Sequence, residues 1–348
     1  MRAMKHYVIG IMALSLSLAP IQAFCDPASQ QQISEWRREA SQGKAYAQIN
    51  LGEVYESGKG EAVKQDYAEA MKWYQLAAAQ SDPDAQYRIG QLYENGYGVR
   101  QNYFLALNWY KKAALKGNPK AQLNIGQMYD NGIGVLMSKT EAMKWYLLAA
   151  RQGDAQAQYN LGLMYEFGQG MQNYAESVKW YRMAAQQGYT KAYYNIALMY
   201  RAGWGVPQDY TESAKWFLLA AQQGYVEAQF NLGVMYTDGQ GVVQDYAESM
   251  KWYQMAAAKG MAKAQFNIGL MYSAGRGVPQ DYVEAMKWYE LAAAKGILKA
   301  QFNIGQLYEN GQGVTEDKQK AKEWYGKSCV HGYKPGCDAY RRLTTAGY

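Results

Sequence analysis

Histidine is almost missing from this chain. The two present, His6 and His331, all but exclude a Ser–His or Cys–His dyad for nucleophilic catalysis. Zinc sites want clusters of Cys and His, and three cysteines with two histidines make none, so neither a metal nor a cofactor is expected. His331 beside Cys329 reads as incidental. A dominant charge is lacking too. The net charge of +6 over 348 residues is spread evenly, without a run of like charge, unlike the basic footprint of a nucleic-acid binder. Long hydrophobic runs are also scarce. The apolar stretch 7–18 is too short for a comfortable membrane span.

That stretch reads instead as the core of a secretory signal, residues 1–23. Arg2 and Lys5 precede it, Ala19 and Pro20 follow, and cleavage falls after Ala23. The mature chain then has no membrane span. Cys25, just beyond, raises a lipoprotein reading, which bulky Phe24 disfavours because a lipid-attachment signal usually wants small residues before its Cys. In an oxidising compartment a bridge between Cys329 and Cys337 is suited, with Cys25 left over. Proline is rare at seven, and Pro83, Pro119, Pro207 and Pro279 fall at starts or corners of helical patterns, where it does least harm.

What is present is a beat. Trp73, Trp109, Trp145, Trp180, Trp216, Trp252, Trp288 and Trp324 follow one another at intervals of 36, 36, 35, 36, 36, 36 and 36. A fixed period of this length marks a repeat architecture, in which each unit packs mainly on its neighbours. The cleanest copy, 264–296, reads AQFNIGLMYSAGRGVPQDYVEAMKWYELAAAKG: two helical patterns joined by a Gly-rich corner. The fold expected is all-α, a superhelical solenoid of about eight two-helix units over 44–331. A polar linker and capping helix (24–43, helical from Ser34 to Gln42 with Trp36) precede them, and a capping helix and tail (332–348) follow.

In the first helix of each unit, Ala121, Ile125 and Met128/Tyr129 recur on one face. A glycine inside that helix costs about 1 kcal/mol against Ala. Its return at Gly52, Gly90, Gly126, Gly162, Gly233, Gly269 and Gly305, with Ala197 as substitute, therefore predicts close helix–helix approach. The corner G-x-G-V, from Gly96/Gly98 through Gly168/Gly170 to Gly311/Gly313, suits a left-handed residue at the end of a helix. The second helix opens with capping-box spacing: Asp66–Glu69, Ser138–Glu141, Asn173–Glu176, Asp209–Glu212, Asp245–Glu248 and Asp281–Glu284. Caps explain these paired carboxylates better than acid–base catalysis does. The first corner carries two extra residues and the fourth is one short.

These motifs resemble the Sel-1-like repeat family, relatives of tetratricopeptide repeats. The resemblance implies a right-handed superhelix of paired helices that mediates protein–protein interaction, often in exported bacterial proteins acting in envelope assembly, signalling or host contact. Cys329-x7-Cys337 is similar to the bridge of secreted cysteine-rich members, although this chain has that pair only once. Some of those members are linked to penicillin binding or β-lactam hydrolysis. A Ser-x-x-Lys stands at Ser41–Lys44, but no Ser-Asp-Asn or Lys-Thr-Gly accompanies it. No enzyme activity is expected; a β-lactam- or peptidoglycan-interacting enzyme is the alternative reading.

By similarity to tetratricopeptide repeats, the first helices line a concave binding surface. A ladder of amides stands there: Asn50, Asn124, Asn160, Asn195, Asn231, Asn267 and Asn303, with Arg88 in the second unit. Asn is a poor mid-helix residue, and this position lies off the apolar face. In the related family it hydrogen-bonds the backbone of a bound peptide. The preceding residue is mostly aromatic, as in Tyr159, Tyr194, Phe230, Phe266 and Phe302, and offers side-chain pockets. Both groups have a plain structural alternative, with the amides bonding the neighbouring repeat and the rings packing between repeats. The stripe at Glu53, Gln91, Gln127, Leu163, Leu198, Val234, Leu270 and Gln306 varies, as selectivity for one partner requires and as an unconstrained surface also allows. The expected partner is a protein or peptide, bound by a monomer in the periplasm or outside the cell.

Overall fold

The computed structural model describes residues 28–59, 63–168 and 172–348. The signal segment 1–23, Cys25 and Gly170 lie outside the described residues. The chain divides into two compact units between Met137 and Ser138, in the corner of the third repeat. The first unit holds α1 (Gln30–Ser41), α2 (Ala45–Ser57), α3 (Tyr67–Ala79), α4 (Pro83–Asn95), α5 (Tyr103–Leu115) and α6 (Pro119–Asn131). The second opens with α7 (Lys139–Arg151), α8 (Ala155–Phe167), α9 (Tyr174–Gln186), α10 (Thr190–Ala202), α11 (Tyr210–Gln222) and α12 (Val226–Asp238). It continues with α13 (Tyr246–Ala258), α14 (Ala262–Ala274), α15 (Tyr282–Ala294), α16 (Leu298–Asn310), α17 (Lys318–Val330) and α18 (Lys334–Thr345). Among the described residues there is no strand. Even-numbered helices from α2 to α16 are the first helices of repeats, and α2, α4, α8, α10, α12, α14 and α16 each pack on the odd-numbered second helix that follows.

In six of the first helices an internal glycine faces a buried tyrosine of the second helix. A Cβ on Gly52 would lie 2.3 Å from the Tyr74 ring, and one on Gly269 would lie 2.6 Å from Tyr289. Gly90, Gly162, Gly233 and Gly305 meet Tyr110, Tyr181, Tyr253 and Tyr325 in the same way. The ring occupies the space a side chain would need, so the propensity cost of glycine is repaid by burying a whole aromatic face. Where Ala197 replaces glycine, the buried ring opposite is Phe217. The tryptophans that mark the period are only half-buried. The fully enclosed residues are the tyrosines beside them.

Three sequence expectations need correction. Helix α1 begins at Gln30 rather than Ser34, because Ser29 and Gln32 form a reciprocal capping box. Gly168 does not adopt a left-handed conformation: it ends α8 at φ −69°, in the corner that is one residue short. Gly58, Gly96, Gly132, Gly203, Gly239, Gly275 and Gly311 do end their helices with φ between 64° and 74°. The caps of the second helices are half boxes. Asp281 Oδ1 accepts from the Glu284 amide at 3.0 Å, but the Glu284 carboxylate pairs with Lys287. The reciprocal bond has no donor left, because the Asp281 amide already donates to the Tyr272 carbonyl of α14 at 3.0 Å. Asp66, Asn173, Asp209 and Asp245 use their amides likewise on Tyr55, Tyr165, Tyr200 and Tyr236.

Glutamine side chains join one repeat to the next. The Nε2 groups of Gln48, Gln122, Gln158 and Gln229, all buried, donate to the carbonyls of Ala40, Ala114, Ala150 and Ala221 in the last turn of the preceding second helix, at 3.1–3.2 Å. The chain closes with a disulfide between Cys329 of α17 and Cys337 of α18. Beside it, Arg342 of α18 grips Glu309 of α16 with two bonds of 2.6 and 2.8 Å. These links tie α18 to the two helices before it.

Candidate protein-binding face

The asparagine ladder lies along the first helices, half-buried at each described step. In the first unit, Asn124 reaches Glu94 at 3.5 Å, and Arg88 pairs with Glu53 at 2.5 Å and Glu56 at 3.9 Å. In the second unit, Asn195 Nδ2 donates to the Tyr181 hydroxyl at 2.9 Å, and Asn231 accepts from Arg201 at 2.8 Å. Asn267 and Asn303 hydrogen-bond Tyr253 and Tyr289. These amides therefore bond the preceding repeat, and an off-face Asn is tolerated because it has that partner. Asn160 is half-buried on α8. Asn267 also lines a cavity of about 200 Å³ between α12 and α14.

The aromatic residues before each Asn pack within and between repeats. Tyr159 lies 5.5 Å from Tyr181 and 5.0 Å from Tyr189; Tyr194 lies 5.6 Å from Phe217 and 4.9 Å from Tyr225. Phe230 meets Tyr253 at 5.8 Å and Phe266 meets Tyr289 at 5.9 Å. Their faces are largely taken by neighbouring rings, at separations typical of favourable aromatic pairs.

The varying stripe is better placed for a partner. It lies three residues beyond each Asn, on the same face of the helix. In the second unit Leu163, Leu198 and Val234 are half-buried and Leu270 is 39% exposed, before Gln306 ends the apolar run. Four consecutive first helices thus present an aliphatic residue where α4, α6 and α16 present glutamine. Leu163, Leu198 and Val234 also pack in part against the cores of the repeats that follow.

Electrostatics on this face change from step to step. In α2, α4, α8, α12, α14 and α16 the penultimate residue stands next to a buried tyrosine, and in α10 Arg201 lies over Phe217. Glu166 accepts from the Tyr181 hydroxyl at 2.6 Å, and burial raises its pKa while the tyrosine hydrogen bond works against that. Glu309 is held below the usual carboxylate range, chiefly by the Arg342 guanidinium. Burial pushes the Tyr110 and Tyr181 phenols far up, so both remain protonated donors. Ser41 Oγ donates to the Arg38 carbonyl at 2.6 Å, and Lys44 pairs with Glu39 at 2.7 Å. Among the described residues, no group of three or more His, Cys, Asp or Glu gathers as metal ligands would, and no helix is long and apolar enough to cross a membrane.

The chain is similar to known proteins over most of its length. It is 35% identical to a protective antigen of uropathogenic Escherichia coli that displays an SLR fold; the match covers 90% of this chain and 68% of that one, with a TM-score of 0.86. A Sel1 repeat protein from Oxalobacter formigenes matches at 33% identity over 89% of this chain and 90% of its own, with a TM-score of 0.67. Two curated Arabidopsis thaliana proteins, the ERAD-associated E3 ubiquitin-protein ligase components HRD3B and HRD3A, match short stretches at 32% and 31% identity. The chain spans only 11% and 12% of their lengths. The Sel1 repeat family model matches eight times, at 45–82, 83–118, 119–154, 155–189, 190–225, 226–261, 262–297 and 298–333. Eight end-to-end matches and paired helices throughout make this chain a member of the Sel1 repeat family, an all-α solenoid of a kind that generally mediates protein–protein interaction.

Proposed function

We propose that this chain is an exported scaffold that binds a protein or peptide on the concave face lined by its first helices. The observation that carries this reading is the aliphatic run Leu163, Leu198, Val234 and Leu270, set beside an amide ladder and bounded by glutamine. Such a stripe supplies apolar contact area with polar edges, the usual anatomy of a recognition surface. The Cys329–Cys337 disulfide supports an oxidising compartment, the periplasm or the cell exterior, where envelope signalling or host contact takes place. Binding rather than catalysis fits the chemistry on the page. Ser41 and Lys44, which would carry the β-lactam alternative, are engaged at the end of α1 by their own surroundings.

The test is affinity capture from envelope and culture fractions, with the parent beside Leu163→Gln/Leu198→Gln/Val234→Gln. Glutamine already stands at this position in α4, α6 and α16, so helicity and melting are expected to hold. A partner retained by the parent and lost by the variant is the expected result. Equal retention by both would move binding off this face.

A further inference from the structure

The cavity between α12 and α14 lies beside a short side chain. At the penultimate place of the first helix, α8 has Glu166, α10 has Arg201 and α16 has Glu309. Each extends towards a neighbouring helix: Glu166 to Tyr181, Arg201 to Asn231, Glu309 to Tyr325 and Arg342. Thr237 takes that place in α12, as Ser273 does in α14. Thr237 Oγ1 turns back onto its own helix, 2.9 Å from the Gly233 carbonyl. The space left measures about 200 Å³ and is walled by Val234, Leu270, Met271 and Tyr253. A void of about 150 Å³ already holds a benzene ring, so this one has room for a Leu or Met side chain.

Its polar atoms are already paired. Thr237 Oγ1 lies 2.6 Å from Ser249 Oγ and 3.3 Å from the Tyr253 hydroxyl, and Asn267 bonds that same hydroxyl. The hydroxyls inside are thus engaged with one another, and an aliphatic group would gain from leaving water. The rim is different. Asp238 and Arg276 both line it, and neither is engaged in an ion pair among the described residues; Arg276 rests over the Tyr246 ring at 5.7 Å. Opposite charges flanking an apolar hole complement a ligand with an apolar group between a cation and an anion. Alternate side chains of an extended polypeptide, which share one face, meet that requirement.

We infer that this cavity receives the aliphatic side chain of an extended polypeptide segment, with a basic residue beside it facing Asp238 and an acidic one facing Arg276. The inference rests on the reading of the first-helix face as a binding face and names what one part of it selects.

A phage-displayed library of random nine-residue peptides, selected on the full chain, tests it. Thr237→Arg and Val234→Gln/Leu270→Gln are selected in parallel; both borrow residues that other repeats carry at those places, which protects the fold. Peptides enriched on the parent are expected to carry Leu, Ile, Val or Met between one acidic and one basic residue. Synthetic versions are expected to bind either variant at least tenfold more weakly, and Arg276→Glu to select a base where the parent selects an acid. Enriched peptides that bind both variants as well as the parent would overturn the cavity assignment and leave the wider face standing. No enrichment on the parent would overturn both.

Discussion

At Gly269 the missing side chain is the specification. The Tyr289 ring lies where a Cβ would be, 2.6 Å away, so Gly269→Ala is expected to lower stability by about 1–3 kcal/mol through overpacking. Adding Tyr289→Phe should restore part of the loss, because Ala197 and Phe217 already coexist in the fifth repeat. Thermal melts of the two variants check this. A second residue-scale rule concerns the buried glutamines. Where the second helix ends in glutamine, its amide reaches in: Gln80 donates to Gln48 at 2.9 Å and Gln187 to Gln158 at 2.8 Å. Where it ends in Lys259 or Lys295, the ammonium bonds Gly224 or Gly260 instead, and the Oε1 atoms of Gln229 and Gln265 stay buried without a partner. Lys295→Gln should therefore stabilise the chain by about 1 kcal/mol, read as a shift in denaturant midpoint. The recurrence of the glycine was legible in the sequence, but not the tyrosine it faces. The glutamine recurred as plainly and went unread, because its partners are backbone carbonyls of another repeat and an amide some thirty residues on.

At the scale of elements, a helix end decides how a charge is carried. Glu166, one residue before the end of α8, is buried against Tyr181 with a raised pKa, whereas Glu309, at the same place in α16, lies against Arg342 with a lowered one. A carboxyl whose folded pKa is raised opposes folding once ionised. Its cost is absent below the unfolded value, near 4.5, grows as pH rises through the folded pKa, and is constant above it. Glu166→Gln keeps an acceptor for the Tyr181 hydroxyl and removes the charge. It should raise stability at pH 7, with the gain vanishing as pH falls below 4.5. Urea titrations of parent and variant at pH 4 and pH 7 measure it. Helix starts and stops were readable because caps and glycines act locally. The half boxes were not, since the competing bond from Asp281 to Tyr272 depends on how the corner brings the two helices together.

At the scale of the molecule, the period alone dictated paired helices and a core shared between neighbours, because no repeat can bury its faces by itself. Function was less legible. The asparagine ladder is conspicuous in sequence, yet Asn195, Asn231, Asn267 and Asn303 are bonded to the preceding repeat. The aliphatic stripe varied as selectivity for one partner requires and as an unconstrained surface also allows, and sequence alone does not separate the two. The most direct test of the central claim places a photo-crosslinking phenylalanine analogue in the seventh repeat, either at Leu270 on α14 or at Leu291 on α15. Both residues are exposed, one on the first helix and one on the second. Irradiation in the native envelope should give a covalent partner adduct from position 270 and none from position 291. An adduct from 291 alone would contradict the account and put the partner on the second helices.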